Sequence, residues 1–332
     1  MNHRLSAGLV LMVTLALALL ASPPPTESQQ PQRVYRLGYL GAGGGPPDGA
    51  PPAALRQALQ ELGYVDGKNI AYTVRWAEAK LERLPALAAE LVALKVDVIV
   101  TQGGVPPVAA KAATSTIPIV AIAAGDTVAS GLIGSLSRPG GNITGMSDEA
   151  AQLSAKRMEI LKEVVPRARR IAVLWNAQDH AMTLRYQEIE KAARVLQVAV
   201  QALGVRQPAD FATAFSTMTR ERPDALFLVA DALTTSSRKH VIEFAATHRI
   251  PAMYEFSAIV HDGGLIAYGP GMADMQRRAA VYVDRILKGA KPGDLPAEQP
   301  TRYYLAVNRK TADTLGLTVP PSVLLRADDV VQ

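Results

Sequence analysis

The chain has 332 residues, of which 48% are hydrophobic, and this content is enough for the buried cores of two domains. Its 35 Lys and Arg residues exceed its 30 Asp and Glu residues by a scattered net charge of +5, which predicts no nucleic-acid tract. The cysteine count of 0 excludes disulfides, thiolate metal sites, cysteine nucleophiles and a lipid-modified cysteine.

The N-terminal segment has the pattern of an export signal. Arg4 precedes an apolar stretch, residues 7–21, that only Thr14 interrupts. A stretch of about 15 residues suits a signal peptide and is short for a membrane span, although an uncleaved anchor is the alternative. We expect cleavage near Ala21, a disordered leader at residues 22–33, and a free protein in the periplasm.

Strand and helix patterns alternate after the leader. Residues 34–40 predict a strand, residues 53–62 predict an amphipathic helix, and residues 70–76 alternate in polarity like a half-buried strand. Two short apolar runs rich in β-branched side chains, residues 96–100 and 117–122, are typical of parallel strands that are buried on both faces. This first series predicts one α/β lobe.

A second series of similar size begins after Gly145. A predicted helix at residues 150–165 leads to a strand at residues 171–175, and later apolar runs continue the alternation to a long helix near residues 275–286. The two series predict an α/β protein with two doubly wound, Rossmann-like lobes, each built on a parallel sheet.

The chain is predicted to pass between the two lobes several times, through a hinge. Three crossings are expected, near Ser147, Tyr268 and Pro300. The N-terminal lobe then comprises residues 34–146 with about 269–300, and the C-terminal lobe comprises residues 147–268 with about 301–332.

Six motifs occur along the chain in a characteristic order. They are GYVDGKN (63–69), VDVIV (96–100), SLSRPGGNITG (135–145), GGLIAYGP (263–270), YVDRILKGAKPGDLP (282–296) and RYYLAVNRKTADTLGLTVPPSVLLRADD (302–329). In this order they resemble the periplasmic ABC-transporter substrate-binding family, whose few characterised members take up aromatic amino acids. The resemblance covers about residues 35–329. It implies a type I periplasmic binding protein that captures a small solute, such as an aromatic or apolar amino acid, and delivers it to a membrane permease and its ATPase.

Ligands of open α/β sheets bind outside the carboxyl ends of the strands, so candidate ligand-binding residues are those that end or follow the predicted strands. They are Thr101, Gln102, Gly103, Gly125, Asp126, Asn176, Asp231, Tyr254, Glu255 and Tyr268. A carboxylate among them can pair with an ammonium group, and the aromatic rings can stack on a ligand ring. Backbone N–H groups of Gly103 and Gly104 can meet a ligand carboxylate.

Each of these interpretations has a structural alternative. Asp126 and Asp231 can serve only as helix caps, and Tyr254 and Tyr268 can be packed in the core. We consider Asp231 the first candidate for the ammonium partner, because it follows the strongest buried strand of the second series.

Catalytic patterns are weak. The run GAGGGP at residues 41–46 has proline where a dinucleotide loop needs a third small residue, and residues 236–239 have an acylation-like spacing without its partner motifs. We therefore expect no catalytic residue, metal or cofactor, and a monomer whose partners are the solute and the transporter. The alternative is an exported α/β enzyme, which requires a base beside a nucleophile in the cleft.

Overall fold

Two β-sheets organise the chain, and each is the centre of one lobe. The computed structural model describes residues 33–148 and 151–332. The predicted signal peptide and the leader up to residue 32 lie outside the described residues. Within the described part of the chain, no helix combines the length and apolar content that crossing a membrane requires.

The N-terminal sheet has five parallel strands in the order β2-β1-β3-β4-β5. They are β1 (Tyr35–Gly41), β2 (Ile70–Trp76), β3 (Val98–Gln102), β4 (Ile119–Ile122) and β5 (Ile143–Gly145). Its connecting helices are α1 (Ala53–Glu61), α2 (Leu84–Ala93) and α3 (Val105–Ala113). Gly145 ends β5 at a φ of +141°, and a Cβ there would lie 2.0 Å from the carbonyl oxygen of Ala121. Only glycine therefore allows β5 to approach β4 at this point.

The C-terminal sheet has seven strands in the order β12-β11-β10-β9-β8-β6-β7. They are β6 (Arg170–Asn176), β7 (Ala199–Val205), β8 (Ala225–Leu228), β9 (Ala252–Tyr254), β10 (Ile266–Pro270), β11 (Tyr303–Asn308) and β12 (Asp329–Val331). The pair β10 and β11 is antiparallel, whereas the sequence predicted parallel strands throughout. The chain leaves this lobe after β10 and returns into β11 from the same side, so the two strands run in opposite directions.

Helices cover both faces of the C-terminal sheet. They are α4 (Leu153–Val164), α5 (His180–Val195), α6 (Asp210–Glu221), α7 (Ala232–Ser236), α8 (Arg238–Thr247), α9 (Ser257–His261), α11 (Arg309–Leu315) and α12 (Pro321–Leu324). Successive residues of β6 enter two different apolar clusters, with Ile171 and Val173 in one and Ala172 and Leu174 in the other. The strands are therefore buried on both faces, as their continuous apolar runs predicted.

Helix α10 (Met272–Leu287) follows β10 but packs on the other lobe. Its buried residues Met275, Ala279 and Val283 join the apolar cluster that contains Leu37 and Leu55 of the N-terminal lobe. The chain crosses between the sheets after β5, after β10 and before β11. The predicted fold class, two doubly wound α/β lobes, is confirmed.

The first and third crossings lie side by side. The backbone N–H of Ser147 donates to the carbonyl of Glu298 at 2.9 Å, and the N–H of Glu298 donates to Gly145 at 2.9 Å. These hydrogen bonds join two of the three connections into a short ladder, so the lobes are linked by a narrow and ordered hinge.

Candidate functional site

A cavity of about 430 Å³ lies where the carboxyl ends of the two sheets face each other. The N-terminal lobe supplies residues 41–44 after β1 and residues 102–106 after β3. The C-terminal lobe supplies the first turns of α5 and the segment that follows β8. Strand ends of open α/β sheets are the usual place for ligands, and the volume falls within the range for small-molecule pockets.

Much of the cavity wall is apolar and aromatic. It includes Trp76, Leu81, Met182, Phe256, Ile259 and Met272. The lining comes from both lobes, and bulky side chains predominate over hydroxyl and amide groups. A wall of this kind suits a ligand with an apolar or aromatic part.

The glycine-rich loop after β1 holds the indole of Trp76. A Cβ at Gly41 would lie 2.1 Å from a carbon of the indole, and a Cβ at Gly45 would lie 2.2 Å from its Nε1 atom. The ring of Tyr39 packs behind it, with centroids 4.9 Å apart. The glycines are needed here because no side chain fits between the loop and the indole, which is thus fixed as part of the wall.

Asp231 places a carboxylate at the cavity wall, where β8 meets α7. Its Oδ1 accepts hydrogen bonds from the backbone N–H of Thr234 at 2.8 Å and from the Thr234 hydroxyl at 2.9 Å. Asn176 Nδ2 donates to its Oδ2 at 2.6 Å. These donors are neutral, and no Lys, Arg or His in the described part of the chain forms a salt bridge with Asp231.

Burial raises the pKa of the Asp231 carboxyl, and the hydrogen bonds from Thr234 and Asn176 oppose only part of that shift. The raised pKa shows that the negative charge costs free energy in the folded protein without ligand. A cation in the cavity would compensate this charge.

Four buried charged residues form a second polar feature, here named the buried ion cluster: Asp148, Arg157, Arg185 and Glu255. Arg185 donates from Nη2 to both Asp148 oxygens, at 3.1 and 2.9 Å, and from Nη1 to Glu255 Oε2 at 3.0 Å. Arg157 Nη1 lies 3.5 Å from Glu255 Oε1, and its Nε donates to the carbonyl of Tyr268 at 2.6 Å. Two positive and two negative charges thus compensate one another in a largely buried cluster.

Burial and ion pairing act in opposite directions on the two arginines. Burial lowers the pKa of Arg157, and the nearby Glu255 carboxylate offsets only part of this effect. Burial also lowers the pKa of Arg185, but Asp148 and Glu255 outweigh it, so the net shift is upward. Asp148 and Arg185 reach the cavity wall, and Asp148 follows the first interlobe crossing. The cluster therefore connects the cavity with the hinge.

Three of the predicted ligand-binding residues line the cavity. They are Gln102, Gly103 and Asp231. The backbone N–H of Gly103 donates to the carbonyl of Ile122 at 2.9 Å, so this N–H is occupied by the fold, contrary to the expectation that it meets a ligand carboxylate. The capping role considered for Asp231 is present together with its position at the wall.

Four other predicted residues lie beside the cavity without lining it. Thr101 is fully buried in β3, and Asn176 is a hydrogen-bond partner of Asp231. The carbonyl of Gly125 accepts a hydrogen bond from the Ser147 hydroxyl at 2.7 Å. Asp126 is exposed and accepts hydrogen bonds from Val128 and Ala129, which stabilises a turn. These positions give the four residues roles in packing, hydrogen bonding and turn formation outside the cavity wall.

The remaining three predicted residues have structural positions. Tyr254 is 1% exposed in the core of the C-terminal lobe, because its side chain points to the helix-covered face of β9. The ring of Tyr268 packs near that of Tyr303, with centroids 6.1 Å apart. Glu255 is 0% exposed and belongs to the buried ion cluster. Burial, ring packing and ion pairing are thus the roles that the structure gives these three side chains, and none of them is part of the cavity wall.

Sequence reasoning missed several wall residues. They are Trp76, Asp148, Met182, Arg185, Phe256 and Met272. Trp76 ends β2, so the strand-end rule applied to every strand would have found it. Arg185 lies one turn after Met182 and one turn before Ile189, and a charged residue on the apolar face of a helix was the available signal.

Comparison with known proteins identifies the family. The sequence profile described as "ABC transporter substrate binding protein" matches residues 52–331. The chain belongs to the ABC transporter substrate-binding protein family. A tyrosine-binding protein from Clostridioides difficile is 27% identical over 261 residues, which cover 79% of this chain and 75% of that protein. The predicted role as a substrate-binding protein of an ABC transporter is confirmed.

Solved structures agree with this assignment. A conserved domain protein from Vibrio cholerae has a TM-score of 0.82 at 26% identity, over 90% of this chain and 100% of that one. The ABC domain from Streptococcus pneumonia in complex with L-Trp has a TM-score of 0.80 at 24% identity, also over 90% and 100%. A ligand-free, open substrate-binding protein with adhesive properties from Clostridium difficile has a TM-score of 0.65 at 25% identity, with the same coverages of 90% and 100%.

Proposed function

We propose that this substrate-binding protein captures an amino acid with an aromatic or apolar side chain between its lobes. It acts outside the cytoplasm as a monomer and delivers the solute to its ABC permease and ATPase. The observation that carries the proposal is the cavity, which combines the uncompensated Asp231 carboxylate with an aromatic and apolar wall. The similarity to a tyrosine-binding protein and to an L-Trp complex supports the same ligand class.

The ammonium group of the amino acid is assigned to Asp231. An α-ammonium group carries three donors and a full positive charge, so it can satisfy the carboxylate that burial otherwise disfavours. Arg185 and Arg238 also line the cavity, but both are already ion-paired, Arg185 with Asp148 and Arg238 with Asp262 at 2.6 Å. Their positive charges are thus compensated. The wall carboxylates without a salt bridge among the described residues are Asp231 and Asp179, and both can attract a cation.

The carboxylate end of the ligand is assigned to the N-terminal lobe. Helix α3 begins at the cavity with Val105, and the first N–H groups of a helix carry partial positive charge and have no acceptor within the helix. Pro106 and Pro107 have no N–H, so the donors concentrate at Gly104 and Val105. A zwitterion can then contact one lobe with each of its charged groups.

No observation favours the enzyme alternative over this function. A nucleophile requires a group such as the hydroxyl of Ser236, which lies in the cavity wall. This hydroxyl donates to the carbonyl of Leu233 at 2.8 Å. No histidine occurs among the residues that line the cavity in the described part of the chain.

Mass spectrometry of small molecules released from the purified protein, followed by calorimetric titration, tests the proposal. We expect L-tryptophan or L-tyrosine to be released and to bind with a Kd in the micromolar range or below, about −8 kcal/mol or stronger. The same titrations with sugars and sugar alcohols serve as the control. Binding of a sugar together with failure of every amino acid would contradict the proposed ligand class.

Ligand binding is also expected to close the lobes. The structure of this chain superposes on the L-Trp complex with a TM-score of 0.80 and on the ligand-free, open structure with a TM-score of 0.65. Because three short crossings join the lobes, rigid rotation about the hinge is the simplest motion that opens the cavity. Small-angle X-ray scattering should show a smaller radius of gyration after ligand addition. An unchanged profile at a ligand concentration that calorimetry shows to be saturating would contradict this prediction.

A further inference from the structure

Gln102 occupies a special position in the cavity wall. It ends β3, and its Oε1 accepts hydrogen bonds from Gln276 Nε2 at 2.9 Å and from the Tyr39 hydroxyl at 3.4 Å. Tyr39 is 0% exposed and Gln276 is 9% exposed, so both partners belong to the packed interior of the N-terminal lobe. The acceptor side of the Gln102 amide is therefore used within the protein.

The donor side of the same amide is directed elsewhere. An amide carries its oxygen and its nitrogen on opposite sides of one planar group, so fixing Oε1 also fixes the direction of the two N–H bonds. Within residues 33–148 and 151–332, no hydrogen bond from Gln102 Nε2 is found, although the residue lines the cavity. The Nε2 donor at the cavity wall is therefore free to bind an acceptor on a ligand.

We propose that Gln102 recognises the carboxylate of the bound amino acid and that Gln276 and Tyr39 position its amide for this contact. The inference rests on the proposed function, because it takes the ligand to be an amino acid. It adds which side chain reads the carboxylate and how the protein orients that side chain. Gln102 and Asp231 lie on different lobes, so the carboxylate and the ammonium group of one ligand bind opposite lobes.

The neighbouring cations do not fulfil this role. Arg185 is held by two carboxylates of the buried ion cluster, and Arg238 is held by Asp262 and by the carbonyl of Thr235 at 3.1 Å. Each guanidinium group is thus anchored by protein acceptors, and its charge is compensated by at least one carboxylate. Gln102 is neutral, so it can donate to a carboxylate without attracting anions into a cavity that also contains Asp231.

Paired ligands with and without a carboxylate test the assignment. The probes are L-tryptophan with tryptamine and L-tyrosine with tyramine, titrated by calorimetry into the full chain. The wild-type protein should bind the amino acid at least about 10-fold more tightly than the amine, since the amine lacks one charge-assisted hydrogen bond. Gln102→Glu keeps the acceptor for Tyr39 and Gln276 but places a negative charge at the donor position. We expect it to weaken amino-acid binding at least about 30-fold and to leave amine binding unchanged or stronger.

Gln276→Glu tests the positioning role without changing a wall residue. A carboxylate at position 276 repels Oε1 of Gln102 and favours the rotated amide, whose oxygen then faces the cavity. We expect the preference for amino acid over amine to disappear in this variant as well. Gln60→Glu is the matched control, because it adds the same charge to an exposed position of the same lobe and should keep the wild-type preference.

The outcomes separate the inference from the proposed function. Failure of the wild-type protein to bind either probe pair would contradict the proposed ligand class and remove the basis of the inference. Wild-type binding with the same ratio of affinities in Gln102→Glu and Gln276→Glu would overturn the role of Gln102 alone. If Gln102→Glu does not fold, as circular dichroism would show, the ratio measured in Gln276→Glu decides the question.

Discussion

Replacing Glu255 by glutamine is expected to lower the free energy of unfolding by about 3–5 kcal/mol, because the change leaves two buried guanidinium groups with one partner fewer. Glu255 is 0% exposed and pairs with Arg157 and Arg185, and Arg157 is itself 0% exposed. Glutamine has nearly the same shape, so the loss arises from charge and not from a cavity. Urea denaturation of the wild-type and variant proteins measures the difference.

Glu243→Gln provides the matched control for this measurement. Glu243 lies on α8 with its side chain exposed to solvent. Its replacement should change the free energy of unfolding by no more than about 0.5 kcal/mol. A loss below about 1 kcal/mol for Glu255→Gln would show that water or a rearranged carboxylate compensates the arginines, contrary to the prediction.

Replacing Asp231 by asparagine is expected to weaken ligand binding at least about 30-fold while leaving the fold intact, because the variant removes the proposed partner of the ammonium group. Asparagine caps a helix about as well as aspartate, so the hydrogen bond to Thr234 can be kept. Burial raises the pKa of Asp231, so loss of the charge itself should not lower the stability of the ligand-free protein. The new amide nitrogen cannot accept the hydrogen bond from Asn176 Nδ2, which lowers stability by about 1–3 kcal/mol. Calorimetric titration with the ligand that the wild-type protein binds measures the loss of affinity.

The pH dependence of ligand affinity provides an independent test of the role of Asp231. The pKa of Asp231 is higher in the folded than in the unfolded protein, so the folded state takes up more protons as the pH falls through this range. Protonation of Asp231 therefore adds stability to the ligand-free protein as the pH falls, but it removes the charge that the ammonium group needs. We expect affinity to decrease towards acid pH in the wild-type protein and this contribution to be absent in Asp231→Asn.

Asp126→Asn is the control for both measurements. Asp126 also accepts backbone N–H groups, those of Val128 and Ala129, but it lies outside the cavity wall. We expect wild-type affinity and wild-type pH dependence for this variant. If Asp231→Asn also binds like the wild type, Asp231 is only a helix cap and the ammonium group has another partner.

The parts of the fold that follow from local pattern could be predicted. Continuous apolar runs such as residues 98–100 identify strands buried on both faces, because helix-covered parallel strands bury the side chains on both sides of the sheet. The rule that ligands bind at strand ends led to Gln102 and Asp231, which both line the cavity. Their place at the wall could be predicted because the local apolar pattern indicates where a strand ends to within about two residues.

The rest depended on pairings between distant segments. Arg185 meets Glu255 and Asp148 only because α5, the end of β9 and the first crossing converge, and no spacing in the sequence encodes this. The burial of Tyr254 could not be decided from the sequence for a related reason. Adjacent residues at a strand end point to opposite sides, so Glu255 enters the ion cluster while Tyr254 enters the apolar core.

The route of helix α10 affects how the protein acquires its fold. A nascent chain that extends only to Gly271 contains every strand of the N-terminal sheet but lacks Met275, Ala279 and Val283, which cover one of its apolar faces. The C-terminal sheet is also incomplete until β11 and β12, the last strands of the described chain, have been made. Neither lobe is therefore complete until nearly all of the chain has been made, so we expect the two lobes to complete their folding together.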